Sequence, residues 1–172
     1  MYDVALSVAA FVRTNTRADI AWMVSPQVSD QAVVFTPGGG RVGSLWNSAF
    51  DGMLADVANR QLSHGRYVEH VVTDLEAEVS GLASGTEVSF IVMPASQFPA
   101  GTWQWAIERE PLILTAHREG SEITNFSVQS VFDRDESAND IDMNRSHSDI
   151  TDESVTTVLV DRKSTRLNSS HV

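Results

Sequence analysis

Apolar residues recur with two different periods in the first part of the chain. Between positions 3 and 13 they occur at 4, 5, 8, 11 and 12, which is the spacing of a helix with one buried face. The stretches 18–24 and 31–36 are short and mostly apolar, and a proline soon follows each, so both predict buried strands. Helical spacing returns over 45–61. These residues therefore predict a helix, two strands and a second helix.

The pattern continues to residue 131. Short apolar runs predict strands over 66–72 and 87–93, and the second is apolar enough to be a central strand. A short helix over 74–82 begins after Thr73 or Asp74, either of which can cap its first turn. The remaining elements are a helix over 102–109 and strands over 111–117 and 122–131, joined as a hairpin through Glu119-Gly120-Ser121. This order predicts an α/β fold, with a mixed sheet and flanking helices.

The composition changes at residue 133. Residues 133–154 are rich in Asp, Asn and Ser and carry few large apolar side chains, which is typical of a solvated linker. The run VTTVLV over 155–160 is β-branched and apolar, like the first buried strand of a parallel sheet. We therefore predict a single domain over 1–132, an acidic linker over 133–154, and the start of a truncated Rossmann-like domain at 155–160.

Residues 161–172 have a different character. Lys163 is the only lysine in the chain, and residues 161–171, DRKSTRLNSSH, resemble the translation of a common sequencing adapter. We therefore interpret 161–172 as a non-native tail, with the native sequence cut at Val160. One acidic and three basic residues lie in this tail; of 23 acidic and 12 basic residues, 22 and 9 remain, a net charge of −13.

The charge of the chain excludes several kinds of partner. A net charge of −11 repels the phosphates of nucleic acids and anionic membrane surfaces, so neither is expected as a partner. It favours instead a partner with a basic patch. There are no cysteines, which excludes disulfides and thiolate metal sites. Because the start shows no signal-peptide pattern, the expected location is the cytoplasm.

The most unusual segment reads PGGGRVGS over residues 37–44. Glycines let a ligand approach the backbone closely, and the free amides at the start of the predicted helix attract an anion such as phosphate. Arg41 can add a bidentate phosphate contact, and Ser44 can cap the helix. A P-loop lysine is missing because Ser44 follows Gly43 directly, so nucleotide hydrolysis is not expected here. The alternative interpretation is a tight turn that binds nothing.

The same segment resembles the N-terminal domain of the XdhC/CoxI family. In that family a strand leads into a loop and helix start of the type G-S-[VI]-S-G-G-C-[VL]-E, and this chain reads G-S-L-W-N-S-A-F-D over residues 43–51. The initial helix, the sheet and the final strand also follow the family's order. The resemblance therefore covers about residues 1–160.

The family motif is kept only in part. Gly43 and Ser44 agree with it, and Asp51 keeps the acid in shortened form. The paired glycines are replaced by Asn-Ser at 47–48, and the cysteine is replaced by Ala49. A thiolate would be the natural soft ligand for molybdenum, so direct ligation of the metal at this position is excluded.

The resemblance implies a maturation factor rather than an enzyme. Such proteins bind the molybdenum cofactor (molybdopterin), protect it during sulfuration, and hand it to xanthine dehydrogenase or carbon monoxide dehydrogenase type enzymes. It thus implies a molybdenum hydroxylase client, with a cysteine desulfurase and a second copy of the chain as further candidate partners. The residues predicted to hold the cofactor, which is bound but not used catalytically, are Gly38, Gly39, Gly40, Arg41, Gly43, Ser44 and Asp51.

Two other functions stay open. An NAD(P)- or nucleotide-binding oxidoreductase would carry its chemistry in the missing Rossmann half, and a G-x-G-x-x-G turn directly after Val160 would support it. A degenerate domain that only mediates protein contact is compatible with the loss of the motif's cysteine.

The histidines and tryptophans give weaker signals. The four histidines outside the tail show neither an HExxH context nor helical i, i+4 spacing; they are His64, His70, His117 and His147. Trp103 and Trp105 are two residues apart within a predicted helix, so one is expected in the core and the other at a surface or interface.

Overall fold

The helices and strands follow the predicted order with a few changes. The computed structural model describes residues 2–27 and 31–131, and the backbone alone of 153–159. The helices are α1 (Tyr2–Arg13), α2 (Asp51–Ala58), α3 (Asp74–Ser80) and α4 (Thr102–Ile107). The strands are β1 (Asp19–Ser25), β2 (Val33–Thr36), β3 (Gly40–Gly43), β4 (Arg66–Val71), β5 (Glu87–Pro94), β6 (Leu112–Glu119), β7 (Glu122–Ser130) and β8 (Glu153–Leu159). Single turns of 3-10 helix lie at Trp46–Ser48 and Ala95–Gln97.

The strands form one sheet in the order β3-β2-β1-β5-β4-β7-β6-β8. Every described strand pair is antiparallel. β5 lies inside the sheet between β1 and β4, and all its residues after Glu87 are buried, in agreement with its apolar sequence. The predicted α/β fold with flanking helices is confirmed, but the described strand pairs are all antiparallel and not mixed as predicted.

Helices cover both faces of the sheet because side chains alternate between the faces along each strand. On one face, α1 and α4 pack on a cluster that includes Trp22 and Met93. On the other face, α2 places Leu54 against a cluster that includes Met23 and Phe90. Full burial of a side chain such as Leu54 stabilises the fold by about 1.5–3 kcal/mol. Within the described ranges, no helix has the length and apolar character that crossing a bilayer requires.

The helix predicted over 45–61 is wrong at both ends. It covers only Asp51–Ala58, because the residues of the turn Trp46–Ser48 and Gln61 have positive φ angles that an α-helix does not allow. Leu45 and Phe50 are fully buried from the loop that precedes the helix. The apolar spacing therefore came partly from loop side chains that pack on the sheet.

The strand predicted at 155–160 is present as β8, but its pairing differs from the prediction. It lies at the edge of the same sheet, antiparallel to β6, with Leu112 opposite Leu159. A β-branched apolar run predicts a strand and does not determine its direction or its partner. The predicted linker lies almost entirely outside the described residues and the tail entirely so, and the division into domains stays a prediction.

Candidate functional site

The three glycines form a hairpin turn between β2 and β3 rather than a strand-to-helix loop. Gly38 and Gly39 have φ angles of 87° and 85°, and the Gly39 amide donates to the carbonyl of Thr36 at 3.2 Å. A three-residue hairpin loop needs such left-handed positions, and glycine adopts them without strain. The predicted anion site at a helix start is therefore wrong, because a strand follows this turn and the next helix begins only at Asp51.

Gly43 and Ser44 lie at the other end of β3. Three residue steps of extended chain separate Gly43 from the hairpin turn, about 10 Å. Gly43 has a φ of 82°, and a Cβ there would come within 2.4 Å of the Ala32 carbonyl oxygen and 2.7 Å of Val4 Cγ2. Close packing thus requires this glycine. Ser44 is exposed and is not the N-cap of α2, which begins after Phe50.

Arg41 and Asp51, both among the predicted site residues, form an ion pair. Arg41 Nη1 donates to Asp51 Oδ2 at 2.6 Å and joins β3 to the first turn of α2. The Arg41 side chain is 48% exposed and that of Asp51 is 4% exposed. Asp51 Oδ1 is buried and has no hydrogen-bond partner among the described residues. The guanidinium of Arg41 therefore faces solvent, while the buried carboxylate of Asp51 has an oxygen that can still accept a hydrogen bond.

The turn Trp46–Ser48, here named the left-handed turn, was not expected from the sequence. Its three residues have φ angles of 47°, 56° and 68°. Each left-handed residue other than glycine costs about 1–2 kcal/mol, and asparagine costs least. The Trp46 amide donates to Gln31 Oε1 at 3.0 Å, and Asn47 Nδ2 donates to the Val79 carbonyl at 3.1 Å. The only signal in the sequence was Asn47, since asparagine tolerates this conformation.

A cavity of about 180 Å³ lies beside the hairpin turn and holds a buried acid. Asp19 accepts two hydrogen bonds of 3.1 Å from Arg17, and Arg17 donates a third, of 2.9 Å, to the Leu62 carbonyl. Burial raises the pKa of Asp19, and the hydrogen bonds and charge of Arg17 oppose that rise. Ligand pockets usually measure about 300–1,000 Å³, so this cavity is too small to enclose a pterin.

The predicted contrast between the two tryptophans of α4 is not seen. Trp103 and Trp105 are both partly buried and both pack against the cluster beneath α1 and α4. Trp103 lies 4.7 Å from the ring of Phe98, measured between centroids. Among the described residues, no three His, Asp or Glu side chains meet as a metal site would need.

The fold and these residues define an α/β domain in which a hairpin, a left-handed turn and an Arg–Asp pair precede a helix. No protein-family model matches the sequence, and no curated protein is significantly similar to it. Among solved structures, the chain is similar to a protein from Bacillus halodurans described as a xanthine dehydrogenase, with a TM-score of 0.55 and 13% sequence identity. The match covers 92% of this chain and 53% of the other, so this chain spans about half the length of that protein. At this identity, the likeness shows a shared fold.

Proposed function

We propose that this chain is the N-terminal domain of an XdhC/CoxI-type maturation factor that binds the molybdenum cofactor and passes it to a molybdenum hydroxylase. The observation that carries the proposal is the left-handed turn. Asn47 and Ser48, which replace the paired glycines of the family motif, have positive φ angles that favour glycine. The backbone therefore keeps the shape for which the motif's glycines are suited. The shared fold with a protein described as a xanthine dehydrogenase is further support.

The residues of this segment fit the organic part of the cofactor. Arg41 is half-exposed and permanently charged, so it can hold the pterin's phosphate. Asp51 Oδ1, buried and without a partner among the described residues, can accept a hydrogen bond from a ring N–H or amino group. Ala49 offers no ligand to molybdenum, so the chain would bind the pterin and leave the metal to other groups. The bound cofactor would supply its chemistry only in the client enzyme.

The Arg41–Asp51 pair changes what an arginine variant tests. Removing the guanidinium leaves a buried carboxylate without its partner, at a cost of about 1–3 kcal/mol of folding stability. A stability measurement must therefore accompany every binding measurement on this variant. Asp51 also competes with a phosphate for Arg41, since both are anions bound by the same guanidinium.

The first prediction concerns Arg41→Gln. The whole chain is titrated with purified molybdenum cofactor while tryptophan fluorescence is followed, and Trp46 lies next to the proposed site. We expect saturable quenching that Arg41→Gln weakens by about 1–3 kcal/mol, the scale of a charge-assisted hydrogen bond. Arg13→Gln, at the end of α1, is the control and leaves the affinity unchanged.

Two outcomes would contradict this proposal. Equal weakening by Arg41→Gln and Arg13→Gln would remove Arg41 from the site. No binding by a folded chain would overturn cofactor binding and bring forward the contact-only domain.

The contact-only domain is the second candidate, and an exposed apolar surface favours it. Leu75 and Val79, four positions apart on α3 and so on one side of it, are 71% and 41% exposed; with Val71, 53% exposed on the preceding strand, we name them the α3 patch. Apolar residues clustered on a surface mark interaction sites more often than scattered ones. The helix that carries the patch has three acidic residues and no basic ones, so a partner with an apolar centre and a basic rim is complementary.

A further inference from the structure

The sheet is nearly divided between β4 and β7. β4 pairs with β5 from Arg66 to Val71, but its register with β7 is confined to Arg66 opposite Glu122. Two backbone hydrogen bonds flank this position, from Tyr67 to Ser121 at 2.8 Å and from Ile123 to Gly65 at 2.9 Å. Both strands begin at this pair and run in opposite directions, so they are not neighbours further along and the sheet leaves a gap.

A cleft of about 740 Å³ lies at this gap. Its walls are the second half of α2, the connection from Gln61 to His64, β4, and the residues Ser121 and Glu122 where β7 begins. Its volume is within the range of small-molecule sites, unlike that of the cavity beside the hairpin turn. The cleft can therefore enclose a ligand of cofactor or metabolite size.

Cationic and hydrogen-bonding side chains converge on this cleft. Arg66 Nη1 donates to Ser121 Oγ at 3.2 Å, and His64 Nδ1 lies 3.6 Å from Glu122 Oε1. Arg60, one helical turn beyond Asp56, forms no ion pair with any described acid.

Three acidic residues also border the cleft, so its positive charge comes from individual side chains and not from a net excess. Glu122 lies opposite Arg66 and close to His64, and Asp56 lies on α2. Glu69 also borders the cleft. It lies three residues after Arg66 on β4, so its side chain points toward the opposite face of the sheet from that of Arg66. His70 is occupied by two hydrogen bonds of 2.8 and 2.9 Å to Glu76.

We propose that this cleft binds a small ligand through a phosphate group held by Arg60, Arg66 and His64. A guanidinium matches the geometry of phosphate. Two guanidiniums with a protonatable imidazole are better suited to a phosphate ligand, which can carry two negative charges, than to a carboxylate ligand, which carries one. Arg60 supplies the charge without a competing partner among the described residues. Arg66 and His64 would exchange part of their contact with Ser121 and Glu122 for the phosphate. This inference is independent of the proposed molybdenum cofactor function.

The test is an NMR titration of the whole chain with inorganic phosphate and, separately, with a nucleoside monophosphate. We expect saturable shifts of the Arg60 and Arg66 side-chain signals and of the amides of His64 and Ser121. Arg60→Gln should raise the Kd at least about tenfold, because the exposed guanidinium is lost while its surroundings stay intact. Arg13→Gln is the matched control and should leave the Kd unchanged.

The outcomes separate the two ligand sources and the two sites. Tighter binding of the ester than of phosphate means that the cleft holds the organic part as well, and equal affinities mean that free phosphate is the ligand. Shifts spread over the surface, or equal weakening by Arg60→Gln and Arg13→Gln, overturn the inference. Loss of binding in Arg41→Gln but not in Arg60→Gln would overturn it too, by placing the phosphate at the hairpin. Failure of the molybdenum cofactor titration leaves this result unaffected.

Discussion

Ser48 has a φ of 68°, the third positive value in succession, and has neither the freedom of glycine nor the tolerance of asparagine. Its neighbours hold this conformation in place: the Ser48 amide donates to the Leu45 carbonyl at 2.8 Å, and the Ala49 amide donates to that of Trp46 at 3.1 Å. Residues in such strained angles persist only where the surrounding structure determines them. The left-handed turn therefore stores free energy immediately before α2.

Ser48→Gly is expected to stabilise the fold. The substitution relieves about 1–2 kcal/mol of left-handed strain and loses about 0.4–1 kcal/mol through the larger entropy of the unfolded chain. The free energy of unfolding in urea should therefore rise by about 0.5–1 kcal/mol. Ser7→Gly, within the right-handed helix α1, is the control and should lower it by a similar amount. The strain argument fails if both variants are destabilised equally.

Single residues show where the sequence predicted the candidate site and where it did not. Arg41 and Asp51 are ten positions apart, and only the family resemblance joined them in one site. The glycine run predicted a place where the backbone has special angles, which is correct for Gly38 and Gly39. It did not predict that Gly43 is needed for packing, because that need comes from Ala32 and Val4, which are distant along the chain.

Glu76, in the first turn of α3, caps its own helix and also binds the neighbouring strand β4. Thr73 Oγ1 accepts from the Glu76 amide at 3.3 Å, and the Thr73 amide donates to Glu76 Oε2 at 2.8 Å, which completes a capping box. His70 on β4 also contacts the Glu76 carboxylate. Burial alone would raise the pKa of Glu76, but the hydrogen bonds from Thr73 and His70 outweigh it and the pKa is lowered.

Glu76→Gln should change how stability depends on pH. Because the folded-state pKa of Glu76 is lowered, its contribution is fully present above its ordinary pKa of 4.5 and is lost as pH falls through the lowered value. We expect Glu76→Gln to cost about 0.5–2 kcal/mol at pH 7, and the difference from the wild type to shrink in acid. Urea unfolding from pH 7 down to pH 3 (roughly one to two units below that ordinary value) measures this.

The control is Glu78→Gln on the same helix. Glu78 is exposed and takes no part in the capping box, so its replacement should leave the acid dependence unchanged. If both variants follow the same pH profile, the capping box is not the source of the effect.

Elements with a strong local pattern were predicted well. α1, β5 and α3 each have clear apolar spacing or a capping residue, and their bounds agree with the prediction within two residues. β3 was missed because it is an edge strand whose four residues, Gly40–Gly43, include a single apolar side chain. α2 was predicted too long because Leu45 and Phe50 mimic helical spacing from the loop before it.

At the scale of the whole molecule, apolar exposure is unevenly distributed. Three of the six large apolar residues that are exposed among those described belong to the α3 patch. The others lie apart from it, two on α1 and one just after β7. If exposed apolar residues were distributed evenly over the surface, three of them would not occur on one short helix and the strand before it.

Leu75→Glu should weaken binding to a partner without affecting the fold. Its side chain is 71% exposed, so little burial is lost on substitution. Against xanthine dehydrogenase apoprotein, as the proposed client, we expect a loss of about 1–2 kcal/mol in affinity measured by calorimetry. Leu6→Glu on α1 is the control, since Leu6 is exposed on another surface. Equal losses in both variants would mean that the α3 patch is not the contact surface.

The narrow junction between β4 and β7 also affects which part of the sheet unfolds locally. Five strands lie on one side of it and three on the other, and the apolar cluster beneath α2 contains only residues from the five-strand side. The three-strand side is attached mainly through the cluster beneath α1 and α4, to which Leu112, Leu114 and Val128 belong. Cooperative units in proteins often coincide with such subdivisions. The hairpin of β6 and β7 can therefore exchange its amide hydrogens by a local opening that leaves β1 and β5 protected.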